Sequence, residues 1–196
     1  MSRTVFVAFG DSITSGYGVV KGFVPLLCAE ITRANHALDL LPVNTGMSGD
    51  NSRDGLDRLD RDVLQYDPDL VSINFGVNDA FSGISADQFA RNLENMALKV
   101  REGGCRRIVF FSSEVIPETW AERQVLPYWE AMRDAADSSG CVYADVHGRW
   151  QEELEKGRPE SDLILQGDLH PNEEGHRLIA DTVFEAMQEN GLLEAL

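Results

Sequence analysis

The sequence predicts an α/β domain in which helices cover both faces of a parallel sheet. Three observations carry that reading. Short apolar runs alternate five times with stretches of helical periodicity, the first run (residues 4–9) has almost no polar break, and no proline-rich linker, repeat or low-complexity tract divides the 196 residues. Such alternation builds a three-layer sandwich, because each crossover helix must bury its apolar stripe against the strands it connects. A strand covered on both faces reads as a continuous apolar run rather than as an alternation. The length suits one domain spanning residues 1–196. Ligands of such sheets lie beyond the carboxyl ends of the strands, so chemistry is expected there.

The elements follow in order. Residues 4–9 form the first strand. Gly10 allows the sharp turn after it, since it lacks a Cβ, and Ser12 then stands as a helix cap or as a reactive hydroxyl. Residues 23–36 place Val24, Leu27, Cys28 and Ile31 on one helical face, and residues 38–43 make a second strand. Ser52 reads as the N-cap of a helix carrying Leu56, Leu59, Val63 and Leu64, with Asp54, Asp57, Arg58 and Arg61 as its solvated face. Residues 69–75 are the third strand. Ser85 opens a long helix whose stripe of Phe89, Leu93, Met96, Ala97 and Val100 is core, and Gly103 and Gly104 stop it. A fourth strand (107–112), a looser segment containing Pro117, a helix (126–138), a fifth strand (141–146), a short helix (150–156) and a last helix (172–190) complete the chain.

Composition narrows the function. The net charge of −16 argues against DNA or RNA as a partner, since phosphates need a basic face. No apolar run approaches the roughly 20 residues of a membrane span. Met1-Ser2-Arg3 offers no export signal before the first strand, so the expected location is the cytoplasm. Cys28, Cys105 and Cys141 are odd in number and widely spaced, which fits free thiols in a reducing compartment. Asp168, His170, Glu173 and His176 lack the helical spacing of familiar zinc sites, so no metal is expected. His36, His147 and His176 read as surface or packing residues.

Four segments that carry chemistry fall at strand ends or just before the last helix: Gly10-Asp11-Ser12, Gly46-Met47-Ser48-Gly49-Asp50, Gly76-Val77-Asn78-Asp79 and Asp168-Leu169-His170-Pro171-Asn172. A nucleophilic serine needs a base, a group to orient that base, and donors for the oxyanion. Ser12, His170, an acid near His170, and Gly49 with Asn78 supply one candidate for each. Pro171 suits a first helical turn and would fix His170 at a helix start. There is no Gly-x-Ser-x-Gly elbow, no complete dinucleotide fingerprint and no P-loop.

Taken together, the order Gly-Asp-Ser, Gly, Gly-x-Asn-Asp, His-Pro-Asn resembles the GDSL or SGNH hydrolases, an esterase and lipase family, over residues 9–176. Ser48-Gly49-Asp50 followed by Gly55-Leu56-x-Arg58-Leu59 is similar to the branch containing bacterial lysophospholipase L1 and thioesterase I. The resemblance implies a flavodoxin-like five-stranded parallel sheet in order 2-1-3-4-5, a Ser–His–Asp triad, no metal and no cofactor. It places Ser12 and His170 as catalytic residues, with the oxyanion hole formed by Ser12, Gly49 and Asn78. The family's acid stands three residues before the histidine, where this chain has Gly167, and Asp168 stands two before. Asp168 reaches His170 if the segment is extended; in a turn, a backbone carbonyl or Asp162 would take its place.

The expected reaction is hydrolysis of small, short-acyl carboxylic esters through an acyl-enzyme. Deacetylation of O-acetylated sugars and lysophospholipase or thioesterase activity use the same residues. A non-catalytic flavodoxin-like binding module is the alternative from another class. Specificity is expected in the loops at residues 81–85 and 114–125. No sequence feature sets an oligomeric state.

Overall fold

A computed structural model describes residues 3–194 and 196; Ala195, and Met1 and Ser2 of the short N-terminal lead, lie outside the described residues. Strands β1 (Thr4–Gly10), β2 (Leu40–Gly46), β3 (Leu70–Asn74), β4 (Arg107–Phe111) and β5 (Val142–Ala144) form one parallel sheet in the order β2-β1-β3-β4-β5. Successive residues of a strand point to opposite faces. Val7, Phe9, Val71, Ile73, Ile108 and Phe110 therefore meet helices α3 (Ser52–Asp62), α5 (Ala86–Glu102) and α6 (Thr119–Ser139). Phe6, Ala8, Leu70, Val109, Phe111 and Ala144 meet α2 (Phe23–Ala34), α7 (Val146–Glu155) and α8 (Glu173–Glu189). The first apolar run lacks polar breaks because Phe6, Val7, Ala8 and Phe9 are all fully buried, two against each layer. Two short helices, α1 (Ser12–Ser15) and α4 (Val77–Ser82), sit just beyond the carboxyl ends of β1 and β3.

Several element boundaries differ from the sequence expectation. The second strand runs later, because pairing with all of Thr4–Gly10 carries it through Asn44, Thr45 and Gly46. As an edge strand, β2 is largely half-exposed or exposed and does not need apolar residues throughout. Asn51, not Ser52, caps α3, accepting from the backbone N–H groups of Arg53 and Asp54 in a reciprocal capping box. The sixth helix begins at Thr119, well before the expected residue 126. Its buried stripe of Ala121, Val125, Trp129, Met132 and Ala136 continues past Pro127, so packing outweighs the hydrogen bond that proline cannot donate. Arg58, expected on a solvated face, is only 7% exposed.

Candidate active site

β1 ends under tight steric control. A Cβ on Gly10 would lie 2.3 Å from Thr14 Oγ1 and 2.4 Å from the Asn74 carbonyl, so only glycine lets α1 start this close to the sheet. Asp11 caps α1 by accepting from the Ile13 N–H at 3.0 Å. Ser12 is the first helical residue, and its Oγ lies 2.9 Å from His170 Nε2.

His170 stands in the turn before α8. The turn is closed by the Leu165 N–H donating to the His170 carbonyl at 2.9 Å and by an isolated bridge between Ile164 and Pro171. Gly167 holds a φ of 77°, a left-handed conformation that favours glycine. The segment is therefore a turn rather than extended, yet Asp168 still reaches the histidine. Its Oδ1 accepts from the backbone N–H of Leu169 at 2.6 Å and of His170 at 3.1 Å, and lies 2.6 Å from His170 Nδ1. The side chain folds back over its own turn, as aspartates in Asx turns do. Hydrogen bonding to His170, first of all, holds the Asp168 carboxyl below its usual range. An ionised carboxylate only accepts, so Nδ1 donates to it and Nε2 is left to accept from the Ser12 hydroxyl. Asp162 is exposed in the preceding 3-10 turn. Asn172 caps α8, which puts Pro171 outside the first helical turn where it was expected. The Tyr17 ring packs against the imidazole with 4.5 Å between centroids.

Asn78 lies in the first turn of α4 and donates through Nδ2 to the Asp50 carbonyl at 2.9 Å, with Asp11 Oδ2 at 3.4 Å. Its neighbour Asp79 is fully buried and accepts from Ser52, at 3.0 and 3.1 Å from the N–H and 2.5 Å from Oγ. That clamp ties α4 to the start of α3. Gly49 occupies the adjoining turn with a φ of 88°, closed by the Asp50 N–H donating to the Met47 carbonyl at 3.2 Å. The Met47 N–H donates to the Gly10 carbonyl at 3.0 Å, fixing this turn beside the end of β1.

Ser12, Asn78 and His170 line one pocket of about 140 Å³, which Gly49 does not line. Ile13, Val77, Phe81, Ile116 and Leu169 supply its apolar wall. Asp11 and Glu114, 1% and 3% exposed, supply carboxyl groups. Burial pushes Asp11 up to about 8 and raises Glu114 as well. Neither carboxyl was singled out from the sequence, although Glu114 begins a loop in which specificity was expected. His176 is buried, accepts from the Phe23 N–H through Nδ1 at 3.2 Å, and is pushed down to about 4 by burial. Among the described residues no three His, Cys, Asp or Glu side chains converge as a metal-ligand set.

The GDSL-like Lipase/Acylhydrolase family matches the chain over residues 8–178. An arylesterase of Vibrio mimicus is 25% identical over 183 residues, covering 92% of this chain and 86% of that protein. Esterase TesA of Pseudomonas aeruginosa is 37% identical over 107 residues, 54% of this chain and 52% of its own. A catalytic mutant of Axe2, an acetylxylan esterase from Geobacillus stearothermophilus, superimposes with a TM-score of 0.83 at 20% identity, over 95% of this chain and 94% of that one. At that identity the likeness concerns the fold.

Proposed function

The chain belongs to the GDSL-like lipase/acylhydrolase family, and on that premise we propose that it is a serine esterase working through an acyl-enzyme on Ser12. The relay carries the reading: Asp168 Oδ1 at 2.6 Å from His170 Nδ1, and His170 Nε2 at 2.9 Å from Ser12 Oγ. Ser12 Oγ attacks the ester carbonyl while His170 Nε2 takes its proton. Asp168 holds the imidazole in the needed tautomer and steadies the imidazolium. The oxyanion is met by the backbone N–H groups of Ser12 and Gly49 and by the Asn78 amide. Collapse of the intermediate expels the alcohol, which takes the proton from Nε2. Water then attacks the acyl carbonyl, gives a proton to His170, and Ser12 leaves with that proton restored.

A pocket of about 140 Å³ and a net charge of −16 favour small, neutral esters over long-chain or anionic ones. Removal of acetyl groups from sugars is the second reading. It is favoured by an acetylxylan esterase of Geobacillus stearothermophilus, 23% identical over 194 residues. We read the chain as one domain needing no cofactor, and as cytoplasmic, a placement supported by its free cysteines. A fluorophosphonate probe tests the nucleophile: wild type should be labelled and hydrolyse p-nitrophenyl acetate, while folded Ser12→Ala should do neither. Labelling of Ser12→Ala, or retained hydrolysis, would overturn the assignment.

A further inference from the structure

Glu114 lies three residues beyond β4, is 3% exposed, and lines the same pocket as Ser12 and His170. We propose that Glu114 is a specificity residue whose carboxyl hydrogen-bonds a hydroxyl group carried by the ester at Ser12. The inference rests on the esterase reading and narrows it to hydroxylated esters.

Three features of the pocket support it. First, a carboxyl in an apolar pocket is costly unless its hydrogen-bonding capacity is met. Among the described residues, the only side chain to hydrogen-bond it is Ser113, whose hydroxyl donates to Oε2, and its own backbone N–H is its one other partner. A carboxyl has room for more partners than that. Second, burial raises its pKa against the pull of the Ser113 hydroxyl, and burial likewise pushes the pocket's other carboxyl, Asp11, up to about 8. Burial disfavours the charged form, and a carboxyl can accept from an alcohol O–H in either form and donate to its oxygen when protonated, which matches an alcohol rather than an ammonium group.

Third, the loop that carries Glu114 is fixed on both sides. The Ile116 N–H donates to Glu122 Oε2 at 2.8 Å, and Glu122 Oε1 lies 2.5 Å from His147 Nε2. His147 in turn donates its backbone N–H to Ser112 Oγ at 3.0 Å. Glu114 thus sits between two anchored residues, and its carboxyl is held in place before substrate arrives. Ile116, Phe81 and Leu169 give the substrate's hydrocarbon part its surface. A site arranged to bond a substrate hydroxyl rejects the analogue without one far more strongly than an apolar pocket rejects an extra methylene.

The test compares kcat/KM on matched esters. Methyl 3-hydroxybutyrate against methyl butyrate puts the hydroxyl on the acyl half; glyceryl monoacetate against propyl acetate puts it on the alcohol half. Choline acetate against 3,3-dimethylbutyl acetate tests for an ammonium group instead. Wild type should prefer the hydroxylated member of one of the first two pairs by about tenfold or more, and which pair responds identifies the half that Glu114 reads. Glu114→Gln, which still donates and accepts, should keep most of the preference, while Glu114→Leu and Glu114→Ala should lose it. A wild type without preference in either pair overturns the inference whatever the variants do. So does a preference surviving in Glu114→Leu or Glu114→Ala, or an advantage of the choline ester that Glu114→Gln abolishes. Fluorophosphonate labelling of the wild type separates the two levels: no labelling ends the esterase reading, whereas labelling without hydroxyl preference ends this one alone.

Discussion

Arg58 reaches from α3 to the last carbonyl of β1, with Nη2 donating to Gly10 at 2.9 Å, one residue before the start of the candidate site. Its Nε donates to Asp50 at 2.6 Å, and Nη1 to the Thr45 carbonyl at 2.8 Å and Asp62 at 3.0 Å. The guanidinium also lies 4.4 Å over the Phe9 ring. One side chain therefore links the ends of β1 and β2 to the turn that holds Gly49. Arg58→Ala would leave two carboxylates and two carbonyls without this donor, and should lower unfolding stability by about 3–5 kcal/mol. Arg58→Lys should recover only part, because an ammonium cannot reproduce the planar fork. Urea denaturation checks both. A loss below about 1 kcal/mol would match an exposed ion pair and contradict the buried role.

Asn78→Ala should cut kcat by about 10²–10³-fold with a smaller change in KM, the pattern of a lost oxyanion donor. Steady-state kinetics on a short-chain ester decide it. A loss confined to KM would make Asn78 a substrate-binding residue.

Asp168→Asn should lower kcat by several orders of magnitude, comparable to the roughly 10⁴ seen when a serine protease's triad aspartate becomes asparagine. The amide can donate to Nδ1 and stabilise the tautomer that points the wrong nitrogen at Ser12. A fall of less than about tenfold would leave a Ser12–His170 dyad oriented by the backbone.

Asp11 sets a pH effect on stability. Its folded pKa, pushed up to about 8 by burial, stands above the 3.8 of an ordinary aspartate. Between those values the folded protein holds a proton that the unfolded chain has released, so this group's contribution weakens as pH rises through that window. Asp11→Asn keeps an acceptor for the Ile13 N–H and removes the titration. The Tm of Asp11→Asn minus that of wild type should grow from pH 4 to pH 8. A constant difference would mean that Asp11 is ionised throughout.

The sheet order was implied only by the family resemblance, whereas the gathering of Ser12, Asn78 and His170 at one pocket was legible because each lies in a segment that follows a strand or precedes the last helix, and a parallel sheet brings such points to one side. The turn at Asp168 was not. An extended segment was expected to be required, but the carboxylate reaches His170 by folding over the backbone N–H groups of Leu169 and His170. Arg58 was misjudged for a different reason. Helical spacing assigned it to a charged face, while its environment is set by carbonyls at the ends of two strands remote in sequence. Glu114 carries no periodic signal at all; only the packing of the loop beyond β4 turns it into the pocket.

The relay between Asp168 and His170 closes across two residues, whereas the Ser12–His170 contact spans 158. From those two sequence separations the parts of the site are expected to form at different moments of folding. The Asp168 carboxyl and the His170 imidazole can meet as soon as one local turn forms, but Ser12 meets them only when the two ends of the chain dock. The Phe23 N–H bond to His176 Nδ1, between the starts of α2 and α8, spans 153 residues and is expected to form with it. Contacts so distant in sequence carry the largest loop-closure cost and are slow to form. In a refolding experiment followed by stopped-flow circular dichroism and by ester hydrolysis, helical signal should return first. Catalysis should report the final docking step.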